Sequence, residues 1–197
     1  MNESTVTRRP LGYITVNESF VEECSFESAS GLCPKWNTGG KWKFSSRNKL
    51  SGHNGYFAYA GGSPYTVKLE TPLISAGDSV RLCLTFRYSM RGQSGSSLNV
   101  SLKSVHDESE VLIYNLFGYH GDTWSKAQVS WTETKDSKIV FRGFTNSVDE
   151  FAIGIDDVKI FTSNCEVYPV FSSPGKTLCS RIYKKMHDIK LLFLSHL

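Results

Sequence analysis

No stretch of this sequence is apolar for long enough to cross a bilayer. A membrane helix needs ~18 or more consecutive apolar residues, and the run Leu191–Leu194 near the C-terminus is far shorter. The opening residues, MNESTVTRRPLGYITVNESF, lack the apolar centre of a secretion signal. No two cysteines have C-x-x-C spacing, so the common zinc and dithiol redox motifs are absent. H-E-x-x-H is also missing, and His53, His106, His120, His187 and His196 form no pair at helical spacing. Charge of one sign is not in excess in the body of the chain: residues 20–165 hold 15 basic and 15 acidic side chains. The net charge of +3 therefore comes from the C-terminal tail. A neutral body has no electrostatic footprint for phosphate backbones, so nucleic acid is not an expected partner.

What is there suits a packed domain. Of 197 residues, 40% are hydrophobic and 13% aromatic, enough to fill one core. Five cysteines occur, at positions 24, 33, 83, 165 and 179. The first four lie within or at the edge of a β-rich region, and their spacing alone leaves all three pairings open. Disulfides would mean an oxidising compartment. Acceptor triplets N-x-[ST] at Asn2, Asn17 and Asn99 fit the same compartment. With no signal peptide in view, an extracellular destination would make this chain part of a longer protein.

Period-two alternation dominates from Trp42 onward. In VRLCLTFRYSM, Val80, Leu82, Leu84, Phe86, Tyr88 and Met90 share one face, and Arg81, Cys83, Thr85, Arg87 and Ser89 the other. Alternation over such a length is a strand with one buried face, not a helix. SLNVSLK repeats it, with Leu98, Val100 and Leu102 inward and Asn99 on the solvated side. GKWKFSS, YFAYA, TVKLE, EVLIYNLF, WSKAQVSW, SKIVFRGF and EFAIGIDDVKIF supply further strands between turn signals. This pattern predicts an all-β fold, a β-sandwich or jelly roll of two antiparallel sheets. Residues 1–19 read as a polar linker, 20–165 as the domain, and 166–197 as a basic, flexible tail.

The order of short signatures resembles the MAM domain family, named after meprin, neuropilin and receptor phosphatase mu. Cys24-Ser25-Phe26-Glu27 is similar to the family's C-x-F-E opening, and Leu32-Cys33 with Trp36 follows as its second cysteine region. Gly55-Tyr56-Phe57 with Tyr59, and Thr71-Pro72-Leu73, come next. The run from Cys83 to Gly92 fits C-L-x-F-x-Y-x-M-x-G, continued by Gly95 and Leu98-Asn99-Val100. Trp124, Phe141-Arg142-Gly143, Ile153-Gly154-Ile155-Asp156-Asp157-Val158 and Cys165 complete the set over residues 20–165. Arg142 stands where the family has Glu, Gly154 where it has Ala, and the segment Asn37–Asn54 lacks the usual G-P-x-x-D-H-T run. The resemblance implies a jelly roll of concanavalin-like architecture with Cys24 paired to Cys33 and Cys83 to Cys165.

Residues that suggest chemistry each have a plainer reading. Gly92-Gln93-Ser94-Gly95-Ser96 looks like a nucleophile elbow, but Ser96 stands where Gly is required and the context is a turn between strands. Glu108 and Glu110 have the spacing of a glycosidase pair, yet the stretch reads as a loop with solvated charge. No enzymatic activity is therefore expected, and no cofactor is required. A structural calcium ion is the one metal expectation, with Glu27, Asp156 and Asp157 as candidate ligands. The alternative for the two aspartates is a turn cap and a solvated charge. Trp42, Trp124, Trp131 and Phe117 are candidates for a sugar platform, weighed against core packing. Cys179, left over if the other four close, would be an intermolecular thiol or a free one.

The expected role is an extracellular or cell-surface module for protein interaction and adhesion, homophilic contact included, as the resemblance implies. The alternatives are a glycan-binding module, or an accessory domain of a protease whose catalytic part lies outside this chain.

Overall fold

The computed structural model describes residues 20–27, 32–39, 42–45, 55–62, 64–75, 79–92 and 95–172. Asn2, Asn17, Cys179, Gln93 and Ser94 lie outside them. Among the described residues, eleven strands follow in chain order. The first five are β1 (Phe20–Cys24), β2 (Asn37–Thr38), β3 (Lys43–Ser45), β4 (Phe57–Ala60) and β5 (Tyr65–Glu70). The long ones come next: β6 (Val80–Met90), β7 (Ser97–Ser104), β8 (Glu110–Phe117), β9 (Ser125–Glu133), β10 (Ser137–Thr145) and β11 (Ile153–Thr162). Among the described residues the only helix is a single 3-10 turn, Val170–Ser172.

The strands form two antiparallel sheets. The first runs β3-β4-β11-β6-β9, with β1 also on β11. The second runs β2-β5-β10-β7-β8. β11 is shared along one edge: β4 pairs with Ile153–Ile155 and β1 with the stretch from Val158 to Phe161. Between these halves β11 slips register against β6, a bulge from Asp156 to Lys159.

The alternation read from sequence becomes the core. Leu82, Leu84, Phe86, Tyr88 and Met90 of β6 face Leu98 and Val100 of β7 and Ile139 and Phe141 of β10 in one apolar cluster. Phe86 ties the layers, with its ring 5.4 Å from both Phe141 and Tyr114, edge to face. Such contacts suit the ring quadrupoles. β4 departs from the half-buried pattern, since all four of its residues are buried. Its outward rings, Phe57 and Tyr59, are covered by Phe151 and Trp124 in a second small aromatic cluster.

Two disulfides stitch the sandwich: Cys24–Cys33, and Cys83–Cys165 across 82 residues of sequence. Closing a loop that long removes about 4 kcal/mol of unfolded-chain entropy in the chain-entropy picture. Packed structure continues past the expected boundary at Cys165. Tyr168 and Gln128 exchange backbone hydrogen bonds at 2.9 Å, and Ser172 is fully buried. This strap lies on the β9 edge, so a boundary at the last cysteine cuts off residues that cover an otherwise open strand.

Candidate functional site

Of the three carboxylates proposed for calcium, Glu27 and Asp157 are held by other partners. Glu27 Oε1 accepts the Tyr56 backbone N–H at 2.9 Å, at the entrance to β4. The contact needs a glycine beside it: Gly55 has φ 126°, and a Cβ there would lie 2.1 Å from that oxygen. Asp156 is buried on the outer face of the first sheet. Asp157 sits in the bulge with φ 49° and pairs with Arg87 at 3.1 Å. Short polar residues tolerate this left-handed conformation, which explains an aspartate there. Among the described residues no three His, Cys, Asp or Glu side chains converge to hold a metal ion, so these carboxylates do not form such a cluster.

The bulge shapes a shallow groove of about 340 Å³ on the outer face of the first sheet, lined by Thr85, Arg87, Lys126, Gln128, Asp157 and Lys159. Its charges are largely matched. Arg87 holds Asp157, and Lys159 pairs with Glu23 at 2.9 Å, which raises the Lys159 pKa. The groove offers hydrogen bonds and ion pairs, the chemistry of contact.

Other sequence candidates also find structural places. Ser96 is buried, and its Oγ accepts the Asn146 N–H at 3.1 Å, pinning the turn after β6 to the one after β10. Glu108 lies in a turn and pairs with Lys103, whereas Glu110 opens β8 and holds Arg142, with Nε to Oε2 at 3.2 Å. The acidic stretch is thus half loop and half strand, and the two carboxylates serve different cations. Trp42 and Trp131 are buried in the main core, and Trp131 Nε1 donates to Glu133 Oε2 at 2.9 Å. Trp124 is half-buried against Phe57. Of the four aromatic candidates only Phe117 stands out, 60% exposed.

The outer face of the second sheet is the most differentiated surface. At one end Lys68 pairs with Glu70, and Arg142 reaches across β7 to Glu110. Burial opposes the charged form of Glu70, but Lys68, Lys138 and Lys103 outweigh it and lower the pKa of the carboxyl. Beneath these long side chains Val140 is fully buried, although it faces away from the core. At the other end Phe117 and Phe144 are exposed on either side of Ser97, their common register partner. Phe144 was legible in the sequence, since Phe141 and Gly143 inward place it outward. Asn99 lies on the next rung, between Arg142 and Asn115.

Comparison with known proteins agrees with this architecture. The family described as MAM domain, meprin/A5/mu, matches residues 24–166. MAM domain-containing protein 2 of Mus musculus is 28% identical over 163 residues, covering 79% of this chain and 23% of that protein. Neuropilin-1 of Xenopus laevis is 27% identical over 115 residues, covering 55% of this chain and 12% of its own length. The chain thus spans less than a quarter of the length of these relatives. Among solved structures, a cleaved adhesin domain of Lys-gingipain from Porphyromonas gingivalis superposes with a TM-score of 0.56 at 17% identity, over 73% of this chain and 98% of that one. A xylan-binding domain from Paenibacillus barcinonensis gives 0.50 at 11% identity, over 75% and 97%. At such identities these structures share the fold alone. Signature order and the extent of the family match converge: this chain belongs to the MAM domain family.

Proposed function

We propose that the chain is a non-catalytic, extracellular protein-interaction module that adheres to a second copy of itself through the Val111 end of β8. One observation carries this reading. β8 ends the second sheet, hydrogen-bonded among the described strands only to β7, and it leaves Val111 60% exposed with Leu112 beside it. From Val111 to Phe117 it carries no charge. Edge strands are normally blunted by charge or proline, and exposed apolar residues on one mark a contact surface. Two such edges meeting antiparallel bury the same residues on both copies, which is the geometry of a two-fold contact. The disulfides support an oxidising, extracellular setting. A relative named MAM domain-containing glycosylphosphatidylinositol anchor protein 1, from Gallus gallus, is consistent with a cell-surface location.

Beads coated with the full chain should clump, and a Val111→Lys/Leu112→Lys variant with unchanged unfolding should clump about tenfold less, as for loss of interface hot spots. Wild-type beads that stay dispersed would remove the reading. A glycan-binding role is the second reading, favoured by the exposed rings of Phe117 and Phe144. A glycan array tests it directly.

A further inference from the structure

Phe117 and Phe144 are an unusual pair for a sheet face. They flank Ser97 from adjacent strands, so the rings stand two strand spacings apart, roughly 10 Å. Ser97 is small and buried, which leaves a low floor between them. Two residues further along β7, on the same face, is Asn99, roughly 7 Å away. Its side chain is half-buried, and Oδ1 is buried with no hydrogen-bond partner. A buried carbonyl without a donor is a rare condition that calls for a missing partner. Arg142, the cationic neighbour of Asn99, is drawn to Glu110, at the end of the face away from Ser97. The approach from Asn99 to the two rings is therefore not occupied by that guanidinium. Asn99-Val100-Ser101 is also an acceptor triplet for N-linked sugar.

We propose that Asn99 carries an N-linked glycan whose first sugar residues lie across Phe117, Ser97 and Phe144. This inference rests on the extracellular reading above. In the attachment step the Asn99 amide nitrogen bonds to the anomeric carbon of an N-acetylhexosamine supplied as a lipid-linked diphosphate oligosaccharide. The anomeric C–O bond breaks, the lipid diphosphate leaves with its electron pair, and the amide gives up one proton. Ser101, the hydroxyl residue of the triplet, is buried in the folded sheet. Attachment thus precedes the closing of β7 between β8 and β10. The C–H face of a pyranose carries partial positive charge, and an aromatic face is negative, so the two stack while water leaves both. Acetamido N–H groups supply donors that the buried Asn99 oxygen lacks. The glycan covers this end of the face, and protein contact is left to the Val111 end.

The test is a cycle of variants of the full chain, routed through the secretory pathway of cultured animal cells behind a fused signal sequence. Glycopeptide mapping should find sugar on Asn99 in wild type and in Ser101→Thr, and none in Ser101→Ala. Loss of the glycan should lower Tm by ~2–4 °C when both rings are present. The drop should be smaller by ~2 °C or more in a Phe117→Ala/Phe144→Ala background, and the difference between the two backgrounds cancels the direct effect of Ser101→Ala. A folded, secreted wild type with bare Asn99 overturns the proposal, as does an equal Tm change in both backgrounds. On a glycan array, binding of free oligosaccharide by Ser101→Ala alone agrees with a covered ring pair. Ring-dependent binding by the glycosylated wild type contradicts it. Bead clumping reports separately on adhesion: bare Asn99 with clumping beads sinks this inference alone, and an occupied Asn99 with dispersed beads sinks only the adhesive reading.

Discussion

Phe26 shows how much a short signature can hold. It is completely buried, edge-on to Trp36 at 6.0 Å, yet it adopts φ 55°, a conformation that bulky residues avoid. The Cys24–Cys33 bridge and the Glu27–Tyr56 hydrogen bond hold the chain on either side of it. Packing thus compensates for backbone strain, and the C-x-F-E motif acts as an anchor rather than a reactive group. Asp157 is the opposite case, a half-buried residue in the left-handed position of a bulge, whose pairing with Arg87 is open to solvent. Exposed pairs contribute little. Asp157→Asn, which keeps the turn conformation, is therefore expected to move Tm by less than ~2 °C. Thermal unfolding with and without millimolar calcium checks this. A calcium-dependent rise in wild type that vanishes in the variant would assign the carboxylate to a cation instead.

Among the elements, the strap after β11 is the one most exposed to solution conditions. His120 lies between the rings of Tyr88, at 5.8 Å, and Phe171, at 5.5 Å. Its Nε2 donates to the Phe117 carbonyl oxygen at 3.0 Å. Burial lowers its pKa below the ordinary histidine value, partly opposed by that hydrogen bond. In the unfolded chain the imidazole then takes up its proton at higher pH than in the folded one. Stability from this group is full above the ordinary histidine pKa, and it declines as pH falls from there toward the folded value. Hydrogen exchange at Gln128 and Tyr168 should accelerate between pH 7 and 5 in wild type, relative to intrinsic exchange, and should change less in His120→Gln. Equal behaviour of the two would place the control of the strap elsewhere. The bulge in β11 and the strap were both illegible in the sequence, for a common reason. An extra residue in a strand, or a segment laid along an edge, is decided by the partner strand rather than by local periodicity. The β6 face, by contrast, was readable residue by residue, because burial on one side leaves period two no alternative.

At the scale of the molecule, two half-buried sheets could be expected from alternation, but which cysteines join could not be had from spacing. The pairing came from the family resemblance, and the structure has the same two bridges. The candidate site was less legible than the fold. Surface roles depend on strands far apart in sequence: Phe117 and Phe144 share a rung only because β8 and β10 both flank β7. Sequence reasoning did find Phe117 and Asn99, but as unrelated features. The central claim is that partner contact is confined to the Val111 end of β8. Hydrogen-exchange mass spectrometry of the full chain, at concentrations below and above self-association, tests it most directly. The account requires new protection over residues 105–113 and none in β3 or in the groove beside Asp157. Protection at either of those places, with residues 105–113 unchanged, would contradict it.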